Sequence, residues 1–233
     1  MESSLKLSAL CAATILFGAP MIDFEEVRRS KRVGERPVFP MVCMWANCVM
    51  WVMYGLHVGD IFPTVTTNML GLLFSTYYCA VYVWAAETAA RRSEAYSLFV
   101  GTLLVISVTC TFCFGSFGSD PTMDPHTDER VAQLAGTAAA SSTVLQYASP
   151  LTLLIKVIRR RSTEGLSRPL AVVSLVCGLL WLWYGVLTEN LFISVPNSLG
   201  VFFSAVQCLL FLLYPEKIKN DSKKAARKEK VSV

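Results

Sequence analysis

Residues 181–207 have the sequence WLWYGVLTENLFISVPNSLGVFFSAVQ, and the main features of this stretch occur a second time near the start of the chain. Both copies contain Trp-x-x-Tyr-Gly, followed by an Asn that lies three residues before a Gly. The matched pairs are Trp51 and Trp181, Tyr54 and Tyr184, Gly55 and Gly185, Asn68 and Asn197, and Gly71 and Gly200. The chain therefore contains an internal duplication.

The duplication extends beyond these pairs. The Trp, Tyr and Gly of the first motif recur after 130 positions, whereas the Asn and Gly of the second recur after 129, so the turn between them differs by one residue. Toward the amino terminus of each repeat, the same offset of 130 aligns Pro20 with Pro150. The repeated unit is about 65 residues long, which exceeds the about 20–50 residues of solenoid repeats.

The composition is that of a membrane protein. Hydrophobic residues make up 54% of the 233 residues and charged residues 16%, and the mean hydropathy is +0.49. A membrane-spanning helix needs about 20 mainly apolar residues. Seven such runs are present, at 5–26, 37–56, 61–86, 95–117, 131–155, 169–187 and 191–214.

The first run could also be a cleaved signal peptide, because Lys6 precedes most of its apolar residues. The repeat partner of Pro20, however, is Pro150 in the middle of the chain, which favours a first helix that is retained.

The distribution of Lys and Arg predicts the orientation, because these residues are enriched in cytosolic loops. The chain has 21 Lys and Arg residues, and all except Lys6 and Arg130 fall in the segments 28–36, 91–92 and 156–168 or in the tail. The amino terminus is therefore predicted to lie outside and the basic tail in the cytosol. The net charge of +4 reflects this asymmetry, so nucleic acid is not expected as a partner.

Each repeat has three apolar runs, and an odd number would invert the second repeat relative to the first. The basic loops at 28–36 and 156–168 are nevertheless equivalent, so a further helix must reverse the chain between them. The run at 95–117 has no partner in the repeat and is predicted to be this linker. We predict an all-α integral membrane protein with seven transmembrane helices arranged 3+1+3. The predicted units are a first three-helix repeat (1–90), a linker helix and outer loop (91–130), a second three-helix repeat (131–215) and a basic cytosolic tail (216–233).

Neither a metal nor another cofactor is predicted. Cys110 and Cys113 form a C-x-x-C inside an apolar run, but no second Cys or His pair occurs at ligand spacing. The cysteines are better explained as small buried apolar residues.

These features resemble the SWEET family of sugar transporters, of the MtN3/saliva type within the PQ-loop superfamily, over about residues 5–215. The most specific features are Pro20 and Pro150, the Tyr-Gly pairs and the Asn-x-x-Gly motifs. Other PQ-loop proteins usually carry Gln directly after the proline of the first helix. In this chain, Met21 follows Pro20 and Leu151 follows Pro150. The resemblance implies two parallel three-helix bundles and a facilitator of sugar transport.

Asn68 and Asn197 are the first candidates for substrate binding. A bare amide inside the membrane is costly unless it has a partner or faces water, and it can donate to and accept from sugar hydroxyls. The alternative is that the two amides join neighbouring helices. In the SWEET family the matching pair binds the sugar.

Trp51 and Trp181 are the second pair of candidates. Flat aromatic rings can cover the apolar C–H faces of a sugar, whereas a Trp near the interface can also belong to the aromatic belt. Many SWEET proteins carry a smaller residue at the position of Trp51. Two Trp residues are expected to narrow the pocket, which disfavours disaccharides.

An outer gate is expected at Tyr54, Tyr184, Asp60 and Asn190. The resemblance implies closure by a phenol and a carboxylate across the pore. Because only the first repeat has the acid, we expect Tyr184 to pair with Asp60. The alternative for both tyrosines is again the aromatic belt.

Four prolines are predicted near the cytosolic ends of their helices: Pro20, Pro40, Pro150 and Pro169. Proline removes a backbone hydrogen bond and leaves a bend, and the resemblance implies that these four form the hinge of the inner gate. The alternative for Pro40 and Pro169 is that they begin their helices, a position proline favours.

No Asp, Glu, Lys, Arg or His lies near the middle of a predicted span, whereas ion-driven transporters usually need one. We therefore expect facilitated diffusion of mono- or disaccharides, with hexoses such as glucose favoured, by alternating access. The alternatives are a PQ-loop amino-acid exporter, for which charged pocket residues would be expected, and a seven-helix receptor, against which the duplication argues. An enzyme is not expected, since no nucleophile, base and oxyanion site combine.

The expected partners are a small sugar and the lipid bilayer, and the basic tail can also contact anionic lipid. The plasma membrane is the expected location, with an internal membrane as the alternative. Homo-oligomerisation is left open by the sequence.

Overall fold

The computed structural model describes residues 2–111, 125–163 and 166–214, except for the side chains of 125–128 and 148–150, and the regular structure of these ranges is helical throughout. The predicted tail at 216–233 lies outside the described residues. The helices are α1 (Glu2–Gly18), α2 (Met21–Ser30), α3 (Phe39–His57), α4 (Thr66–Ala85), α5 (Ala89–Cys110), α6 (Pro125–Gln146), α7 (Ala148–Arg160), α8 (Arg168–Leu187) and α9 (Leu191–Leu213), with a π-helical turn, Ile61–Val65, before α4.

These helices form seven segments of membrane-spanning length, because α1 with α2 and α6 with α7 each make one broken segment. The predicted all-α, seven-helix architecture is confirmed. Among the described residues, five segments are long and apolar enough to cross a membrane: Glu2–Ser30, Phe39–His57, Ala89–Cys110, Arg168–Leu187 and Leu191–Leu213. The other two, α4 and α6 with α7, contain more polar residues, and both contribute to the site described below.

The first segment breaks between α1 and α2 at Pro20, since proline has no N–H for a helical hydrogen bond. Next to this break, the carbonyl of Phe17 accepts a hydrogen bond from the hydroxyl of the buried Tyr78 in α4, at 2.8 Å. The fifth segment breaks at Tyr147, three residues before Pro150. Bends of this kind persist in membranes where neighbouring helices satisfy the freed carbonyl groups.

The third segment of each repeat lies between the other two. Helix α4 packs against α1, α2 and α3, and α9 packs against α6, α7 and α8. Between the repeats, α1 packs against α8 and α3 against α6. These two contacts are equivalent when the repeats are exchanged, as expected for parallel repeats around one axis. Helix α5, which covers most of the predicted linker run, packs on α3 and α4, outside this pairing.

The end of the bundle where α3 and α8 finish is called the Asp60 end, and the opposite end is called the Pro40 end. At the Pro40 end, the backbone N–H of Gly34 donates to the Glu87 carboxylate at 3.2 Å. This bond joins the loop after α2 to the loop after α4. Hydrogen bonds from its own backbone N–H and from Gly34 hold the pKa of Glu87 below its ordinary value.

Two helices begin at other residues than the predicted runs and loops suggest. Helix α5 begins at Ala89, before the predicted run at 95–117, because the Thr88 hydroxyl caps it by accepting from the Arg91 backbone N–H at 3.3 Å. The predicted outer loop ran to residue 130, but α6 already begins at Pro125. Proline is favoured in the first turn of a helix, which accounts for a start at Pro125.

Gly185 allows α8 to approach α9 closely. A Cβ atom at this position would lie 2.8 Å from the backbone nitrogen of Ser194 and 2.7 Å from its hydroxyl oxygen. The backbone of Ser194 cannot move aside, whereas the end of a flexible side chain could. We therefore expect Gly185→Ala to overpack this contact and to destabilise the protein by about 1–3 kcal/mol, measured as a lower midpoint of thermal unfolding in detergent.

Gly101 in α5 provides the matched control, because a Cβ atom there would meet nothing within 4 Å. Gly101→Ala should leave the midpoint unchanged or raise it slightly, since alanine favours the helix. An equal drop in both variants would show that close packing at Gly185 is not the cause.

Candidate functional site

A cavity of about 220 Å³ lies between the two repeats, with walls from α1, α3, α4, α6, α8 and α9. The four residues predicted to bind substrate all line it: Asn68, Asn197, Trp51 and Trp181. The two copies of the duplicated motif thus meet at one place in the fold, although 129 or 130 positions separate them in the sequence.

Asn68 and Asn197 adopt the same conformation in the two repeats. Each side-chain N–H donates to the carbonyl four residues earlier in the chain, that of Thr64 at 2.9 Å and that of Ile193 at 2.8 Å. These bonds orient the amides and leave the amide oxygen and the second N–H of each for a ligand. Neither bond joins two transmembrane segments, which disfavours the alternative that the amides hold neighbouring helices together.

Trp51 and Trp181 also occupy matched positions, and each ring meets the following Tyr edge to face. The ring centroids are 5.7 Å apart for Trp51 and Tyr54, and 5.8 Å apart for Trp181 and Tyr184. The indole N–H of Trp51 donates to the Thr143 hydroxyl of α6 at 2.8 Å, whereas no described residue accepts from the Trp181 N–H. The two rings therefore differ in the hydrogen bonds that they can offer a ligand.

The cavity wall also contains five polar residues that were not predicted from the sequence: Asn47, Thr67, Thr143, Gln146 and Tyr147. Asn47 donates through its side-chain nitrogen to the hydroxyls of Ser142 and Thr143, at 2.8 Å each, so it joins α3 to α6. It lies one helical turn before Trp51. This i, i+4 spacing places both side chains on one helix face and was the available signal for Asn47.

At the Asp60 end, the four residues predicted as an outer gate form two pairs across the repeats. The hydroxyl of Tyr184 donates to Asp60 Oδ2 at 2.9 Å. The side-chain N–H of Asn190 donates to the hydroxyl of Tyr54 at 2.7 Å. Both bonds join one repeat to the other, so the two repeats are held together at this end.

The surroundings of Asp60 combine satisfied and unsatisfied atoms. Oδ2 also accepts from the Thr64 hydroxyl at 2.6 Å, but Oδ1 is buried without a hydrogen-bond partner among the described residues. Lys6 lies over the Tyr184 ring, 5.8 Å from its centroid, and pairs with Glu2 at 2.7 Å. A buried acceptor without a partner costs about 1–3 kcal/mol. Opening this end would expose Asp60 Oδ1 to water and so remove this cost, which is present only when the end is closed.

The four prolines predicted as an inner hinge occupy different kinds of position. Pro20 lies at the break between α1 and α2, whereas Pro150 lies inside α7, with a side chain outside the described part. Pro40 and Pro169 are the second residues of α3 and α8, where proline is accommodated without a bend. Pro20 therefore coincides with a helix break, whereas Pro40 and Pro169 do not.

The chemistry of the site is that of hydrogen bonds and apolar contact. The described residues that line the cavity include no charged side chain, and the described ranges contain no group of three or more His, Cys, Asp and Glu that could hold a metal ion. Cys110 contacts the sulfur of Met53 at 3.5 Å, and its C-x-x-C partner Cys113 lies outside the described residues. A neutral ligand with hydroxyl groups suits such a cavity.

Comparison with protein families gives one match. Residues 3–90 and 133–219 match the family MtN3_slv, described as "Sugar efflux transporter for intercellular exchange". The two matched ranges correspond to the two repeats, and the unmatched residues between them include α5 from residue 91 onward. The match therefore divides the chain in the same way as the duplication does.

Individual relatives cover most of the chain. The "Sugar transporter SWEET1" of Dictyostelium discoideum is 30% identical over 220 residues, which are 93% of this chain and 96% of that protein. The "Bidirectional sugar transporter SWEET7b" of Oryza sativa subsp. indica is 29% identical over 202 residues, 85% of this chain and 72% of that protein. A solved structure of a eukaryotic SWEET transporter has a TM-score of 0.78 at 22% identity and covers 91% of this chain and 95% of its own. This last likeness shows a common fold.

Proposed function

Because the chain belongs to the SWEET family of sugar transporters, we propose that it carries a hexose such as glucose across a membrane by alternating access, without ion coupling. Membership of a transporter family confirms the prediction that the chain is not an enzyme. The choice of a hexose rests on the site.

The observation that carries the proposal is the position of two Asn amides and two Trp rings around one cavity between the repeats. The amides can donate to and accept from the hydroxyls of a neutral sugar. The indole rings can cover the apolar C–H faces of the same molecule. A charged amino acid would find no charged partner among the described residues of this cavity, which disfavours the amino-acid exporter.

The cavity volume favours a single sugar ring. At about 220 Å³, the cavity is smaller than the about 300–1,000 Å³ of sites for drug-sized ligands. Trp51 and Trp181 both contribute to its walls, where one smaller residue would leave more room. A disaccharide would require the walls to move apart, so we propose a monosaccharide as the substrate.

The uncharged lining supports transport without ion coupling. Coupled transporters place ionisable residues within the membrane, close to the pathway of the ion. The Asp60 carboxylate instead lies at one end of the bundle, where it accepts from Tyr184 and Thr64. The concentration gradient of the sugar would then set the direction of net transport.

Alternating access would use the two ends of the bundle in turn. The pairs Tyr184–Asp60 and Asn190–Tyr54 form the proposed outer gate, and the break at Pro20 and its counterpart near Pro150 form the proposed inner hinge. With the basic loops on the cytosolic side, the Asp60 end would face outward. The plasma membrane and an external amino terminus are the location and orientation that we propose.

Uptake of radiolabelled glucose should rise above that of vector controls when the chain is produced in cells that lack their own hexose carriers. Unlabelled hexoses should compete for this uptake, and unlabelled amino acids should not. Uptake equal to that of the vector controls, with the protein present in the plasma membrane, would contradict the proposed function.

Glucose inside vesicles that contain the purified protein should approach the external concentration without exceeding it. Because no ion is coupled, imposing a pH gradient should leave this final level unchanged. The measurement is the internal amount of labelled glucose at long times, with and without an ionophore that collapses the gradient. Accumulation above the external concentration that disappears with the ionophore would show coupling to protons.

A further inference from the structure

The cavity lining is not symmetric, although the two repeats are. At matched positions, α3 and α6 carry polar residues where α8 and α1 carry apolar residues or Cys. The pairs are Asn47 and Cys177, Thr143 and Ala13, Gln146 and Leu16, and Tyr147 and Phe17. Because α3 packs against α6 and α1 against α8, the first member of each pair contributes to one wall, the polar wall, and the second to the opposite one, the apolar wall.

Some groups of the polar wall are available to a ligand and others are not. The Thr143 hydroxyl accepts from Asn47 and Trp51 and donates to the Ala139 carbonyl at 3.2 Å, so its hydrogen-bonding capacity is used. The side-chain oxygen of Asn47 remains available, since its nitrogen makes the bonds to α6. Gln146 lines the cavity without a hydrogen-bond partner among the described residues, so its amide can both donate and accept.

Thr67 adds an unpaired hydroxyl to the same cavity. Its side chain is 2% exposed, its hydroxyl oxygen has no hydrogen-bond partner among the described residues, and it belongs to the cavity lining. The matched residue of the second repeat is Pro196, whose side chain cannot form a hydrogen bond. Turning the Thr67 hydroxyl toward a ligand breaks no existing bond, and a sugar hydroxyl would supply the partner that a buried hydroxyl requires.

We propose that the cavity binds its sugar in one orientation relative to the two repeats, with the hydroxyl-rich edge hydrogen-bonded to Asn47, Thr67 and Gln146. The opposite edge then faces Leu16 and Cys177, which offer little hydrogen bonding, and the indole N–H of Trp181, which offers a single donor. This inference rests on the proposed transport of a hexose. It makes these three polar residues determinants of specificity, because they recognise several hydroxyls on one edge of the sugar, whereas the other edge meets one donor, the Trp181 N–H.

The test is a series of monodeoxy glucose analogues, each lacking one hydroxyl, that compete with labelled glucose for uptake. Loss of one recognised hydroxyl should weaken competition by about 2- to 10-fold, the effect of one hydrogen bond. Loss of a hydroxyl on the edge facing the apolar wall should change competition by less than about 2-fold, except for a hydroxyl that accepts from the Trp181 N–H. The wild-type protein should therefore divide the analogues into two groups.

Two variants test whether Gln146 of the polar wall and Thr67 of α4 bind the recognised hydroxyls. Gln146→Leu introduces the residue found at Leu16, and Thr67→Val replaces a hydroxyl by a methyl group of similar size. Each should weaken glucose uptake by about 2- to 10-fold and should remove the discrimination against one analogue of the sensitive group. Thr66→Val is the matched control, because the Thr66 hydroxyl donates to the Ile61 carbonyl at 2.9 Å and is not part of the lining.

A double exchange distinguishes the effect of where the polar groups lie from the effect of how many there are. Leu16→Gln combined with Gln146→Leu keeps the same polar groups but moves one to the apolar wall. If orientation matters, this double variant should not recover the wild-type pattern of discrimination. Surface amount and a monodisperse profile in detergent, measured for every variant, separate these effects from loss of folding.

Three outcomes would overturn the inference while leaving the proposed function intact. These are glucose transport with equal sensitivity to all analogues, an unchanged pattern in both Gln146→Leu and Thr67→Val, and a wild-type pattern in the double exchange. If the wild-type protein transports no hexose at all, the proposed function fails, and the inference fails with it.

Discussion

Glucose uptake should fall about 5-fold or more when either Asn68 or Asn197 is replaced by alanine, and to the vector level when both are replaced. Each substitution removes an amide oxygen and an N–H that face the cavity. A sugar hydroxyl left buried without its partner costs about 1–3 kcal/mol, and 1.4 kcal/mol corresponds to a factor of ten in affinity. The measurement is the initial rate of labelled glucose uptake per amount of protein at the cell surface.

Ser198→Ala is the control for this pair. The Ser198 hydroxyl is exposed and donates to the Ser194 carbonyl of its own helix at 2.8 Å, so its loss should leave uptake close to the wild-type rate. Undiminished uptake in both Asn variants would remove the two amides from the proposed site. Uptake lost equally in Ser198→Ala would instead indicate a general sensitivity of α9.

Asp60→Ala should open the Asp60 end of the bundle, which is the proposed outer end. The substitution removes the acceptor of the Tyr184 and Thr64 hydroxyls, and with it the buried oxygen that has no partner. The remaining cross-repeat bond, from Asn190 to Tyr54, is not expected to hold the end closed alone. Transport should fall strongly, because a carrier that no longer closes its outer end cannot complete the cycle.

A native cysteine reports this opening. Cys177 is buried and lines the cavity, so a membrane-impermeant maleimide added outside should label it slowly in the wild-type protein. Labelling in Asp60→Ala should be faster, measured on the peptide that contains Cys177, with Cys177→Ser as the control for background. Asp60→Asn keeps an acceptor oxygen for Tyr184 and should give an intermediate rate. Equal labelling of all three proteins would contradict a gate at Asp60.

The duplication explains why part of the site could be predicted without a structure. Asn68 and Asn197 attract notice because the same costly residue type recurs at the same place in both repeats. Asn47, Thr67 and Gln146 could not be found in this way, since their matched positions hold Cys177, Pro196 and Leu16. A search for repeated features finds the symmetric part of a site and overlooks the part in which the repeats differ.

The prolines show a related limit. Proline at the start of a helix and proline at a bend look alike in sequence, because the same missing N–H is harmless in the first turn and disruptive later. Pro20 coincides with a break, whereas Pro40 is the second residue of α3. The break of the fifth segment falls at Tyr147, whose hydroxyl donates to the Pro196 carbonyl of α9 at 3.0 Å, and no local pattern indicates this contact.

The sequence by itself determined the number and order of the membrane segments, the unpaired linker and the symmetric half of the site. These properties follow from segment length, apolar composition and the distribution of charge, and from the duplicated motif, all of which can be read along the chain. The tertiary structure decided which side chains share the cavity, how the amides of Asn47 and Asn68 are oriented, and that one wall is polar and the other apolar. Those properties depend on contacts between helices that are distant in sequence, such as α3 with α6, and therefore only the packed bundle defines them.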